Sequence, residues 1–113
     1  MGIIIIKKNL SKSDFQKAKE DYVSYIKVTA DIEQEVIALG GEYHADAEKI
    51  LLKNGSSQKN IWGGGVNLEI KQYEANAIVN LRPGQNDSTE ILNLTKRKKF
   101  LRLAKKLLDK YVK

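Results

Sequence analysis

Val28-Thr29-Ala30-Asp31-Ile32-Glu33-Gln34-Glu35-Val36-Ile37-Ala38-Leu39-Gly40-Gly41 decides how the rest of the chain is read. It is rich in β-branched residues, apolar at both ends and acidic in the middle. Val28 to Leu39 therefore reads as one long strand, or as a strand pair with a break near Glu33. The glycine pair Gly40-Gly41 ends it, because two such residues let the backbone turn where a side chain would clash.

Toward the N-terminus, Ile3 to Lys7 carries four consecutive isoleucines and reads as a strand covered on both faces. A helix is expected between the two strands. Ser11 supplies its N-cap and Asp14 a variant capping box, while Leu10 and Phe15 suit a hydrophobic staple. Phe15, Ala18, Tyr22 and Ile26 recur at helical spacing, which carries this helix to about Lys27.

Toward the C-terminus, Ala45 to Lys53 reads as a short helix with Ala47, Ile50 and Leu51 inward and Gly55 as a left-handed stop. Asp46 and Glu48 fall in its first turn, where acids complement the helix dipole. Gly55 to Asn60 is a polar loop. A hairpin follows, in which Val66, Leu68 and Ile70 alternate with Asn67 and Glu69. In its second strand Ala77, Val79 and Leu81 alternate with Ile78, Asn80 and Arg82. Pro83-Gly84 closes that strand and opens a polar loop, Gln85 to Ser88. The last helix runs from about Leu94 to Tyr111, with Phe100, Ala104, Leu107, Leu108 and Tyr111 as its apolar stripe.

These elements give an α+β fold with a small mixed or mainly antiparallel sheet and three helices, in the order β-α-β(β)-α-β-β-α. A length of 113 residues, 42% apolar and 30% charged residues suit one globular domain spanning 1–113. There is no cysteine, which excludes disulfides, thiolate metal sites and cysteine nucleophiles and fits a reducing compartment. The expected location is the cytoplasm. The run Ile3 to Ile6 is too short for a signal-peptide core or a membrane span, so no membrane association is expected.

The net charge of +6 is unevenly placed. From Lys96 to Lys113 nine basic residues stand against Asp109 alone, and the rest of the chain is slightly acidic. The excess sits on the last helix, where Lys98, Lys99, Arg102, Lys105, Lys106 and Lys110 oppose the apolar stripe. Such a face either solvates the helix or follows a phosphate backbone. No known nucleic-acid motif accompanies it.

The densest chemistry lies in Gly40-Gly41-Glu42-Tyr43-His44-Ala45-Asp46-Ala47-Glu48. His44, the one histidine, stands at the entrance of the short helix. There it suits a general acid or base, with Glu42 or Asp46 as the carboxylate that fixes its tautomer. Arg82 and Asn80, facing away from Val79 and Leu81, join Asn67 and Glu69 on the neighbouring strand as a polar patch. Gln85 follows in the loop. Trp62, beside Gly63-Gly64-Gly65, offers an aromatic wall to a planar ligand. The glycine run lacks the lysine and spacing of a phosphate loop. Glu42, His44, Asp46 and Asp31 lack metal-ligand spacing, so no metal is expected.

The run Gly-Gly-Glu-Tyr-His-Ala-Asp-Ala-Glu resembles the signature of a family of small bacterial and archaeal proteins of unknown function. Gly55-Ser56, Gln58, Trp62-Gly63 and Val79-Asn80-Leu81-Arg82-Pro83 follow in that family's order, after a similar isoleucine-rich opening strand. The resemblance implies a shared fold over nearly the whole chain and supplies no activity or cofactor. The departure comes after Pro83. The family has a longer loop with Asn-Arg-Ser, whereas this chain reads Gly84-Gln85-Asn86-Asp87-Ser88, without arginine.

Three functional readings stand side by side. The first is a domain binding a small anionic or planar ligand, extending to a small hydrolase or transferase through His44. The second is a nucleic-acid module through Lys98, Lys99, Arg102, Lys105 and Lys106. The third is a non-catalytic homodimeric interaction protein. Each residue also has a structural explanation, as a cap, a packed aromatic or a solvated charge. The first reading requires His44 and Arg82 to share a cleft.

Overall fold

The computed structural model describes residues 3–19 and 24–112. The chain forms an α+β fold. Its strands are β1 (Ile4–Ile6), β2 (Tyr25–Asp31), β3 (Val36–Leu39), β4 (Ile61–Asn67) and β5 (Gln72–Glu74). Its helices are α1 (Lys12–Ala18), α2 (His44–Lys53) and α3 (Leu94–Val112), with short 3-10 turns at Gln58–Asn60 and Ile78–Asn80. The five strands make one sheet in the order β1-β3-β2-β4-β5, every neighbouring pair antiparallel.

The deciding stretch is a strand pair. Asp31, fully buried, caps its turn: one carboxylate oxygen accepts from the backbone N–H groups of Glu33 and Gln34, both at 3.0 Å. Glu35 completes the reversal in the left-handed region, with φ 58°. Along β2 and β3 successive side chains serve opposite faces. Ile26, Val28, Ala30, Ile37 and Leu39 join Phe15, Phe100, Leu103, Ala104, Leu107 and Leu108 in the larger core, under α1 and α3. Val36 and Ala38 join Ala47, Leu51 and Ile61 in a smaller core under α2. The sheet is therefore covered on both sides, which is why both faces of these strands are apolar. Burial of each such Leu or Ile contributes about 1.5–3 kcal/mol.

The ends of α2 follow from its sequence. Gly40 and Gly41, both at φ 89°, bend the chain out of β3 toward the helix. Gly55 (φ 101°) stops it in a Schellman arrangement, Ser56 N donating to Leu51 O and Gly55 N to Leu52 O.

Two expected elements come out differently. The first helix ends at Ala18 instead of reaching Lys27, although Ser11 does cap it by accepting from Asp14 N at 3.1 Å. Ile26, assigned to that helix by spacing, lies in β2 opposite Val66. The period-two pattern of Ile26, Val28 and Ala30 prevails over the chance helical spacing. Tyr22 lies outside the described residues. The hairpin also differs. β4 ends at Asn67, whose side chain accepts from Glu69 N at 3.0 Å and folds Leu68 to Lys71 into a turn, leaving Ile70 exposed. The partner of β4 is β5, and Ala77 to Leu81 is no strand: Ile78–Asn80 is a 3-10 turn laid over the sheet.

Candidate ligand-binding cleft

The turn at Ile78–Asn80 is held down by one side chain. Asn80 is wholly buried; its Oδ1 accepts from Gly63 N at 2.7 Å, and its Nδ2 donates to Gly63 O and Thr89 O, both at 2.9 Å. The turn comes so close that a Cβ on Gly63 would stand 2.6 Å from Val79 Cγ1, 2.9 Å from Ala77 Cβ and 3.0 Å from His44 Cδ2. Glycine at 63 is what brings this turn and the start of α2 onto one patch of β4.

Between them lies a cavity of about 440 Å³, lined by Lys27, Tyr43, His44, Ala45, Glu48, Gln58, Ile78, Val79, Leu81 and Arg82. His44, the first residue of α2, is partly buried, and its Nε2 donates to the Gly64 carbonyl at 2.7 Å. That bond places the ring proton of the neutral imidazole on Nε2 and leaves Nδ1 as a lone-pair acceptor. Nδ1 has no hydrogen-bond partner among the described residues. Burial lowers the pKa of His44 from its ordinary value, the Gly64 carbonyl opposes that shift and the positive charge of Lys27 adds to it. The ring is therefore neutral at pH 7.

Arg82 enters from the other side. It donates to the Ile61 carbonyl, and its guanidinium carbon stacks 4.3 Å from the centre of the Trp62 ring. Burial pulls its pKa below the ordinary value while the Glu48 carboxylate pulls it up. A guanidinium keeps its charge through such shifts. Glu48 is one helical turn beyond His44 and so shares its face of α2.

The proposed site residues are thus only partly gathered. His44 and Arg82 line the same cavity. Glu42 is exposed and Asp46 lies in the first turn of α2, and neither lines the cavity or bonds His44 among the described residues; the Gly64 carbonyl orients the imidazole instead. Asn80 is consumed in pinning the turn. Trp62 is 4% exposed, with Arg82 and Lys96 over its ring, so it backs the arginine and offers no open wall. Asn67 caps the β4–β5 turn, and Gln85 is exposed in the loop, its N–H donating to Arg82 O. Glu48, read as an acid that complements the helix dipole, lines the cavity, as do Lys27 and Gln58. The i, i+4 relation of His44 and Glu48 was the available signal for the first of these.

Part of the basic face of α3 meets groups of the chain itself. Lys99 pairs with Glu33 at 3.3 Å, Lys106 reaches Glu35 at 3.9 Å, and Lys105 lies 5.9 Å over the Tyr73 ring. A hollow of about 240 Å³ between the β2–β3 turn and α3 is lined by these charges, both signs together. Lys98 and Arg102 are exposed on the same helix. Among the described residues no helix is long and apolar enough to cross a membrane. No group of three or more histidine and carboxylate side chains gathers there as a metal site would require.

Neither a curated protein nor a solved structure matches the chain. A family model described as "Protein of unknown function (DUF5674)" matches residues 4–107, and the chain belongs to that family.

Proposed function

We propose that this protein is a small-ligand-binding domain, and that the cleft between α2 and the Ile78–Asn80 turn receives a small anion. The observation that carries the reading is the meeting of His44 and Arg82, far apart in sequence, on one cavity of about 440 Å³. Ligand sites occupy roughly 300–1,000 Å³ and combine mostly apolar walls with a few convergent polar groups. This cleft has that composition: Tyr43, Ile78, Val79 and Leu81 supply the walls. Arg82, held by the Ile61 carbonyl and stacked on Trp62, is fixed before any ligand arrives, which lowers the entropic cost of binding. It is the anion clamp. His44 presents Nδ1 as an acceptor and, toward a ligand with an acidic proton, as a general base. That arrangement extends the reading to a small hydrolase or transferase.

The α3 surface supports a nucleic-acid reading less well, because Lys99, Lys105 and Lys106 already meet acids or a ring of the same chain, leaving Lys98 and Arg102 as its exposed charges. Titration of the isotope-labelled protein with acetate and with inorganic phosphate, followed by amide NMR, tests the proposal. Shifts are expected at residues 43–48, 61–64 and 78–82, and they should vanish in Arg82→Gln. Shifts confined to α3, or none with either anion, would overturn it.

A further inference from the structure

The cleft carries charges of both signs, Lys27 and Arg82 against Glu48. Arg82 and Glu48 line it together, yet no ion pair joins them among the described residues. Each leaves one polar atom buried without a partner: Nε of Arg82 and Oε2 of Glu48. The first is a donor that lacks an acceptor, the second an acceptor that lacks a donor. Buried polar groups are seldom left so; a cation and an anion that line one cavity without pairing suit a ligand that presents both an acceptor and a donor.

The rim is different in kind. Ile78 is 81% exposed, Tyr43 60% and Leu81 48%, and all three border this cavity. One exposed apolar residue is ordinary, but three around one polar hollow form an apolar lip. Nothing in the core explains Ile78 in particular, which sits at the top of a turn whose other residues are tied to the sheet.

We infer that the cleft takes a free α-amino acid with an apolar side chain, its carboxylate on Arg82, its ammonium on Glu48 and its side chain against Tyr43, Ile78 and Leu81. The inference rests on the anion-binding reading above and specifies its ligand. A zwitterion answers Arg82 and Glu48 in sign, and Lys27 on the same wall adds a second cation on the side of the carboxylate's charge. A compact dianion such as phosphate satisfies Arg82 but meets the Glu48 carboxylate, and a fatty acid leaves Glu48 unanswered. The neutral imidazole of His44 does not repel the ammonium and can accept from it at Nδ1.

Calorimetric titration of the intact chain at pH 7 with leucine, glycine, 4-methylpentanoate and 3-methylbutylamine separates the contributions. Leucine is expected to bind about tenfold tighter than 4-methylpentanoate, which lacks the ammonium, and than the amine, which lacks the carboxylate. It should also exceed glycine by about tenfold through its side chain. Glu48→Gln should bring leucine down to the level of 4-methylpentanoate, and Ile78→Ser should bring it toward glycine. The exposed position of Ile78 leaves folding unaffected by that change. Equal binding of leucine and 4-methylpentanoate would overturn the amino-acid assignment while leaving the anion site standing. Equal binding of leucine and glycine would overturn the apolar lip. If neither carboxylate binds and acetate produces no shifts, the anion reading itself falls.

Discussion

Asn80 replaces a strand. With Oδ1 on the N–H of Gly63 and Nδ2 on its carbonyl, at 2.7 and 2.9 Å, this side chain makes the two hydrogen bonds that a paired residue would make in a ladder. A 3-10 turn is thereby fastened onto β4 through the amide of one side chain.

Asn80→Ala removes three hydrogen bonds and strips the Gly63 N–H and carbonyl of this partner, while the Thr89 carbonyl keeps its bond from Ala77 N. It should lower the unfolding free energy by about 3 kcal/mol. Asn80→Asp keeps the acceptor for Gly63 N but sets a carboxylate oxygen against two carbonyls, and should be no milder. Urea denaturation measures both. A loss below about 0.5 kcal/mol would mean that the amide is not the fastening.

Gly63→Ala forces a methyl group into Val79, Ala77 and His44 at once. Overpacking of this kind costs about 1–3 kcal/mol, and here it should also lift the turn and displace the imidazole. The expected outcome is a lower midpoint in urea with amide shifts at 44 and 77–80. At Gly84 (φ 80°) a Cβ meets nothing within 4 Å, so Gly84→Ala should show backbone strain without those distant shifts.

His44 makes stability depend on pH. Its folded pKa is lowered, so the unfolded chain binds the proton more readily. The contribution is complete above the ordinary imidazole value of about 6.5 and is lost as pH falls from there to the folded pKa. Stability measured between pH 7.5 and 4.5 should decline over that window in the wild type and less in His44→Gln. The chain has one histidine, so its ring proton resonances give the folded pKa directly.

Asn86 should matter as much as Asn80. It is 3% exposed, its Nδ2 donates to the carbonyls of Asn80, Ser88 and Glu90, and its Oδ1 accepts from Leu92 N. Its backbone also exchanges hydrogen bonds with Arg82 at 2.8 and 2.9 Å. Asn86→Ala should cost about 2–3 kcal/mol in urea denaturation and weaken the proposed anion binding by loosening the arginine's seat. An unchanged affinity would show that Trp62 and the Ile61 carbonyl alone position Arg82.

What the sequence disclosed follows the range of its signals. The β2–β3 pair, α2 and α3 were legible because their periodicity and their end signals, Gly40-Gly41 and Gly55 above all, act within a few residues. Ile26 misled because its spacing from Phe15 and Ala18 fits a helix as well as its spacing to Val28 fits a strand. Ala77 to Leu81 misled more instructively: alternation implies one face inward, yet Asn80 points inward with hydrogen bonds and Ile78 stands in solvent. A pattern of apolar and polar types does not distinguish a solvated amide from one replacing a strand. His44 and Arg82, singled out by chemical type, line one cavity, whereas Glu48 in the same lining is absorbed by the simpler explanation of an acid in a first turn. The loop after Pro83, where an arginine was noted as missing, proves to be organised around Asn86.

At Gly64 the sheet is bare. Its carbonyl takes the His44 proton on the α2 side, while a Cβ would press at 2.7 Å against the Phe100 ring on the α3 side. An imidazole and a core aromatic thus rest on one peptide unit with no side chain between them. Displacement of either presses on the same backbone, so α2 and α3, separated by a whole layer, share a mechanical fulcrum.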